Sequence, residues 1–281
     1  MTPFIKTIRW ELVKIFSKWR TYIGFGTILI LVPLIMVLVR KYGIDIENEA
    51  LRSFQGAFDY IGSVTNGLLV SYFLMNVLWI HFPFFIVLVA GDIVASEGAS
   101  GTFRILLTRP LSRFEVITGK FIATYVYTLA IVLFLGLVSV GLGIAIVGGG
   151  DLLVFNKGIL IFSQGEALPR FLIAYLVASV MQMTVGALAF LFSTWTSNAV
   201  GPIIGTYAVI VVSYILSVLQ IDALQAIRPY LFVTYFNVFF VPFNVPVPWR
   251  MIAVQLGKLG IFILIFYALS VVSFIRKDIK T

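Results

Sequence analysis

The sequence predicts an all-α integral membrane protein: six transmembrane helices in one domain over residues 1–281, preceded by an amphipathic helix lying in the membrane interface. Three observations carry that prediction. Hydrophobic residues make up 60% of the chain and charged residues only 11%, whereas a soluble domain is nearer a quarter charged. Six runs of about 20 mostly apolar residues, the length that crosses a bilayer, fall at 21–39, 66–91, 121–147, 171–192, 199–219 and 251–274. The residues ahead of the first run form a basic, helix-periodic stretch.

That stretch, residues 3–20, comes first. At about 100° per residue, Phe4, Ile5, Ile8, Leu12, Ile15, Phe16 and Trp19 share roughly a third of the wheel. Thr7, Glu11, Lys14 and Lys18 lie opposite, and Trp10 and Val13 break the pattern. A basic amphipathic helix with aromatic anchors lies along the interface, apolar face down. It serves either as a plain anchor for the first run or as a surface that also meets a cytoplasmic partner. The long basic part and the span-length run, with no small-residue cleavage site, predict a retained span rather than a signal peptide.

The runs themselves are nearly free of charge: the second holds only His81 and the sixth only Lys258. With both termini in the cytoplasm, twelve Lys and Arg fall on the inside and seven on the outside, the bias expected of a cell-membrane protein. The net charge of +8 then reads as basic flanks, and no nucleic-acid partner is expected. Cysteine is absent and histidine single, so no disulfide, metal site or catalytic cluster is expected. Asn76 and His81 in the second run are the candidates for a pathway, because ionisable groups inside a membrane are commonly functional. The competing reading of His81 is a neutral ring with one hydrogen-bond partner. Lys258 is read as snorkelling to the outer interface. Gly201 with Gly205, and Ser139 with Gly143, have spacing that permits close helix approach, more simply within one subunit than across a dimer. Pro202 suits the first turn of the fifth helix. Residues 220–250, aromatic and interrupted by prolines, read as outer re-entrant or interfacial helices needing protein cover, or as a loop on the membrane surface.

The most informative interruption is EGASGTFRILLTRPLSRFE, Glu97 to Glu115. Ser100 can cap a helix. Phe103, Leu106 and Leu107 then share a face at i, i+3 and i+4, and Pro110 ends the run. Ser112 and Glu115 fit a capping box, with Leu111 and Val116 at staple positions. Asp92 and Glu97 are candidates to pair with Arg113 or Lys120. A two-turn helix is too short to be stable alone, so its apolar face packs on the chain's own span ends or enters a partner's groove.

The stretch GDIVASEGASGTFRILLTRPLSRFEVITGK resembles the membrane subunit of ABC transporters of the type-2 permease family, which carry an acid, Gly-Thr, paired leucines, Pro, a small residue, Arg and a later Gly-Lys. Those positions are Glu97, Gly101, Thr102, Leu106, Leu107, Pro110, Ser112, Arg113, Gly119 and Lys120. The resemblance implies a type V exporter fold. In it residues 100–109 are a short cytoplasmic coupling helix, with Glu97, Gly101, Thr102, Phe103, Arg104, Leu106, Leu107, Arg109, Pro110 and Arg113 meeting an ABC ATPase subunit. It also implies a second permease copy or homologue, and an exit gate formed by residues 220–250. No G-x-x-x-x-G-K-[ST] occurs, and Gly119-Lys120 is followed by Phe121, so no phosphate cradle is present. No cofactor is expected on this chain, and ATP and Mg would sit on the partner. The expected function is a non-enzymatic permease subunit of an exporter. The alternatives are a structural or regulatory membrane subunit and an integral-membrane lipid-modifying enzyme.

Overall fold

The structure, a computed structural model, describes residues 3–52, 65–79, 81–99, 112–155, 158–198, 200–219 and 221–277. Its helices are α1 (Pro3–Ser17), α2 (Trp19–Arg52), α3 (Gly67–Leu78), α4 (Pro83–Ala90), α5 (Asp92–Ala99), α6 (Arg113–Leu142), α7 (Gln164–Trp195), α8 (Val200–Val218), the single turn α9 (Asp222–Gln225) and α10 (Trp249–Arg276). Five are long and apolar enough to cross a membrane: α2 over Trp19–Gly43, α6 with its extension to Val147, α7, α8 and α10. A sixth results if α3 and the helix over Pro83–Ala99 count as one span. This is a helical membrane protein.

α7 is the axis of the bundle. Its apolar window is 78% buried, against 17% in α8 and in α10, so the neighbours wrap it and present their remaining faces outward. Both α6 and α7 begin earlier than their apolar runs. Each starts with a capping box, Ser112–Glu115 and Ser163–Glu166, which satisfies donors that the first turn leaves unpaired. The fifth helix starts at Val200 with Pro202 in its first turn, as the sequence predicts.

Three features depart from six plain helices. The second run is not straight: α3 and the Pro83–Ala99 helix meet at 53°. Proline lacks a backbone donor, and Pro83 stands at the first position of α4. After α6, a π-helical turn (Gly143–Val147) leads into Gly148 and Gly150, at φ 115° and 155°, a region that favours glycine. There the chain forms an antiparallel hairpin, β1 (Leu152–Phe155) with β2 (Ile159–Phe162), pairing Leu152 with Phe162 and Phe155 with Ile159. Leu152, Val154 and Phe162 are buried while Ile159 and Ile161 face outward, the period of two expected of a one-sided ribbon.

The third departure lies within residues 220–250, where Phe232–Phe243 forms a 3-10 helix of 12 residues. Runs beyond three or four residues are uncommon in this helix, whose side chains eclipse every third position. The sequence meets that period. Thr234 and Asn237 are exposed and Phe240 is half-buried, while Phe232, Phe236, Phe239 and Phe243 are buried. Arg170 of α7 donates to the carbonyls of Pro242 and, at 3.0 Å, Asn244. These bonds satisfy carbonyls at the segment's C-terminal end. Lys258 is exposed and stacks over the Tyr235 ring at 4.8 Å.

Close approaches of small residues hold the helices together within the chain. A Cβ on Gly67 would lie 2.1 Å from the backbone of Gly143. One turn on, the Ser71 hydroxyl donates to the Ser139 carbonyl at 2.8 Å. Gly205 faces the Phe192 ring. Ser139, Gly143 and Gly205 are therefore used in packing within one subunit.

The bundle has two chemically different ends. Arg113, at the start of α6, donates to the carbonyls of Ile275 and Lys277 at 2.9 and 3.0 Å. Lys277 donates to the Thr194 carbonyl at 2.9 Å. The start of α6 and the ends of α7 and α10 therefore share one end, and the start of α7 and the 3-10 helix share the other.

Candidate functional site

At the Arg113 end, charges converge on α5, the eight residues that lead directly into position 100. α1 lies across the start of α6 because Gly119 has no side chain: a Cβ there would sit 3.1 Å from Thr7 Cγ2. This approach brings Glu11 onto Lys120. Lys120 is fully buried and donates to Glu11 Oε2 at 2.8 Å. It also pairs with Glu97 Oε1 at 2.7 Å. Lys14 closes the set, reaching Glu11 Oε1 at 2.9 Å and Glu97 Oε1 at 2.8 Å. Two carboxylates and two ammonium groups thus form one network joining α1, α5 and α6.

A second set lies one turn earlier on α5. Asp92, 5% exposed, receives Lys18 on Oδ2 at 2.8 Å and Arg20 on Oδ1 at 3.0 Å. Lys18 also donates to the Ser96 hydroxyl at 3.2 Å. On the other side, the Ser193 hydroxyl of α7 accepts from the amides of Val94 and Ala95 at 3.1 and 2.9 Å. These are amides in the first turn of α5. α5 is therefore held by α1, the start of α2, α6 and α7 at once.

The electrostatics favour holding rather than proton transfer. Burial alone would lower the Lys14 ammonium. The hydrogen bonds and charges of Glu97 and Glu11 outweigh it and keep Lys14 above the usual lysine value. Burial holds Lys277 below its usual value. Every carboxylate in the network faces at least one cation within 3.0 Å. Breaking one partner out of such a buried set costs about 3–5 kcal/mol, although forming it adds little net stability. Among the described residues, no group of three or more His, Asp or Glu is arranged to hold a metal ion.

The expected site residues divide sharply. Glu97 lies in the network and meets Lys120, one of the two partners foreseen for it. Arg113 does not meet Asp92 or Glu97, because its guanidinium binds the carbonyl end of α10 instead. Gly101, Thr102, Phe103, Arg104, Leu106, Leu107, Arg109 and Pro110 lie outside the described residues, as does Leu111 of the expected staple. Asn76 is half-buried on α3. His81 is exposed between α3 and α4, its Nδ1 3.1 Å from the Val77 carbonyl, which matches the reading of one satisfied ring.

Glu11 and Lys14 were not legible as members of the network. The helical wheel places Thr7 and Glu11 on the face away from the apolar stripe, yet both are buried, at 8% and 2% exposure. Trp10 and Trp19 face outward instead, at 60% and 74%. A polar stripe looks the same on a wheel whether water or a buried lysine answers it. The available signal was that Glu11 is the sole acid before Asp45, among five Lys and Arg by position 20.

The family described as "protein of unknown function (DUF2705)" matches residues 28–280. No curated protein matches the chain.

Proposed function

The chain belongs to the DUF2705 family, and we propose that it is the membrane-spanning permease subunit of an ATP-driven ABC exporter. It would form the translocation pathway as a dimer, coupled to separate ATPase subunits that bind ATP and Mg. In this reading α1 lies in the interface, α3 with α4 and α5 forms the second of six spans, and both termini are cytoplasmic in the cell membrane.

One observation carries the proposal. Glu97 and Lys120 flank residues 100–111 on the two sides and are joined directly at 2.7 Å, with Lys14 locked onto Glu97 and Glu11 onto Lys120. A force applied to the segment between them reaches α1 and the second and third spans together. That is the mechanical property a coupling element needs, because a partner can drive a change only through contacts that differ between states.

The experiment is co-purification with the ATPase, paired with ATP-dependent flux in reconstituted vesicles. Replacing Phe103, Leu106 and Leu107 by alanine is expected to release the ATPase or uncouple its hydrolysis. Unchanged association and unchanged flux would refute the coupling role.

A further inference from the structure

A second feature lies on the side of α1 turned away from the charged junction. Thr7 and Glu11 meet α6 at Gly119 and Lys120, which immediately precede the charge-free run opening at Phe121. Further along α1, the Ile15 carbonyl accepts from the hydroxyl of Thr21, the first residue of the charge-free run of α2. The Phe16 carbonyl accepts from the Tyr22 hydroxyl at 2.9 Å. α1 is thus tied to two spans at the level where each apolar run begins, which supports its placement in the headgroup layer.

This packing consumes much of the apolar stripe, since Ile15 is buried and Leu12 and Phe16 pack against the core. The exposed face that remains carries Ile5, Lys6, Arg9, Trp10 and Val13, with Trp10 60% and Val13 53% exposed. The only acid of α1, Glu11, is sequestered on Lys120 at 2% exposure. Lys6 and Arg9 stand three positions apart and share a face, and neither forms an ion pair among the described residues. The outer face therefore has two cations, an indole and no anion. Basic side chains beside a bilayer gain from anionic headgroups, and a tryptophan ring suits the same layer.

We propose that the outer face of α1 binds anionic phospholipid headgroups, with Lys6 and Arg9 taking the phosphates and Trp10 seated beside them. This rests on the interfacial placement of α1 in the permease reading and extends it from lipid contact to lipid choice.

The chain has no cysteine, so Val13→Cys provides one labelling position on this face. The full chain, labelled there with the fluorophore NBD, is placed in phosphatidylcholine nanodiscs. Phosphatidylglycerol or phosphatidylcholine carrying a nitroxide near the top of one acyl chain is then titrated in as quencher. Half-quenching is expected at an about fivefold lower mole fraction of the glycerol lipid, the factor that one lysine or arginine near a charged surface supplies. Lys6→Gln with Arg9→Gln should bring the two curves together, and both side chains are exposed, so the fold should tolerate the change. About 1 M KCl, where screening acts over about 3 Å, should do the same. Arg250→Gln, an exposed position at the opposite end of the bundle, should leave the preference intact. Equal curves for the labelled parent would overturn the anionic preference while leaving α1 in contact with lipid. Absence of quenching by either lipid would overturn the interfacial placement itself and point to a protein partner on this face. A preference that survives the double glutamine variant would overturn the role of Lys6 and Arg9.

Discussion

Lys120→Met is the sharpest perturbation of the charged junction. The lysine is fully buried, and its ammonium faces Glu11 at 2.8 Å and Glu97 at 2.7 Å. Methionine fills similar volume but removes the cation, leaving two carboxylates to share Lys14. One-sided removal from a buried ion set costs about 3–5 kcal/mol. Lys14 already touches both acids, so the lower half of that range is expected. Glu11→Gln leaves Lys120 paired with Glu97 and should cost less, about 1–3 kcal/mol. The two changes should not add. Once Lys120 is gone, neutralising Glu11 relieves an unpaired charge, so the double variant should be more stable than the sum predicts by about 1–3 kcal/mol, a magnitude typical of directly contacting residues. Equilibrium unfolding in mixed micelles with a denaturing detergent, for the two singles and the double, measures this coupling. Additivity within about 0.5 kcal/mol would refute the network as described.

Other outcomes follow from the same geometry. Gly67→Ala places a Cβ 2.1 Å from the Gly143 backbone and is expected to cost at least about 3 kcal/mol, the severe end of overpacking; near-native stability in the same unfolding assay would contradict that contact. Gly119→Leu should displace α1 from α6, because even one Cβ there meets Thr7 at 3.1 Å; protease cleavage within α1 would then be faster than in the unsubstituted chain, and an unchanged rate would contradict the contact. Lys14 is held above the usual lysine value of 10.5, so its contribution is full below pH 10.5 and is lost as pH rises through its folded value. Protease resistance of α1 should therefore stay flat from about pH 7 to 10 and fall above, and a fall starting near pH 8 would count against the pairing. Arg170→Met removes the donor to the Pro242 and Asn244 carbonyls and should raise hydrogen exchange across residues 232–244.

Much of this protein was legible locally. Membrane crossing depends on the summed transfer energy of about 20 consecutive residues, so hydropathy alone located the helices now seen at Trp19–Gly43, Arg113–Val147, Gln164–Trp195, Val200–Val218 and Trp249–Arg276. The Ser112–Glu115 box and the start near Pro202 were equally readable, because caps involve residues within one turn. The second Ser-x-x-Glu box, at Ser163, and the three-residue period of Thr234 and Asn237 are also present in the letters.

The burial of Glu11 and the seating of Arg113 on the end of α10 belong to a different class. Each depends on which helix lies beside which. A charge at position 11 costs the same on the helical wheel whether it faces water or Lys120. Its partner Lys120 stands 109 residues further along the chain, and only the approach of α1 over Gly119 brings the two within 3 Å. Apolar burial sums over neighbours in sequence and can be read there, whereas ion pairing acts over a few ångströms in space and waits on the packing.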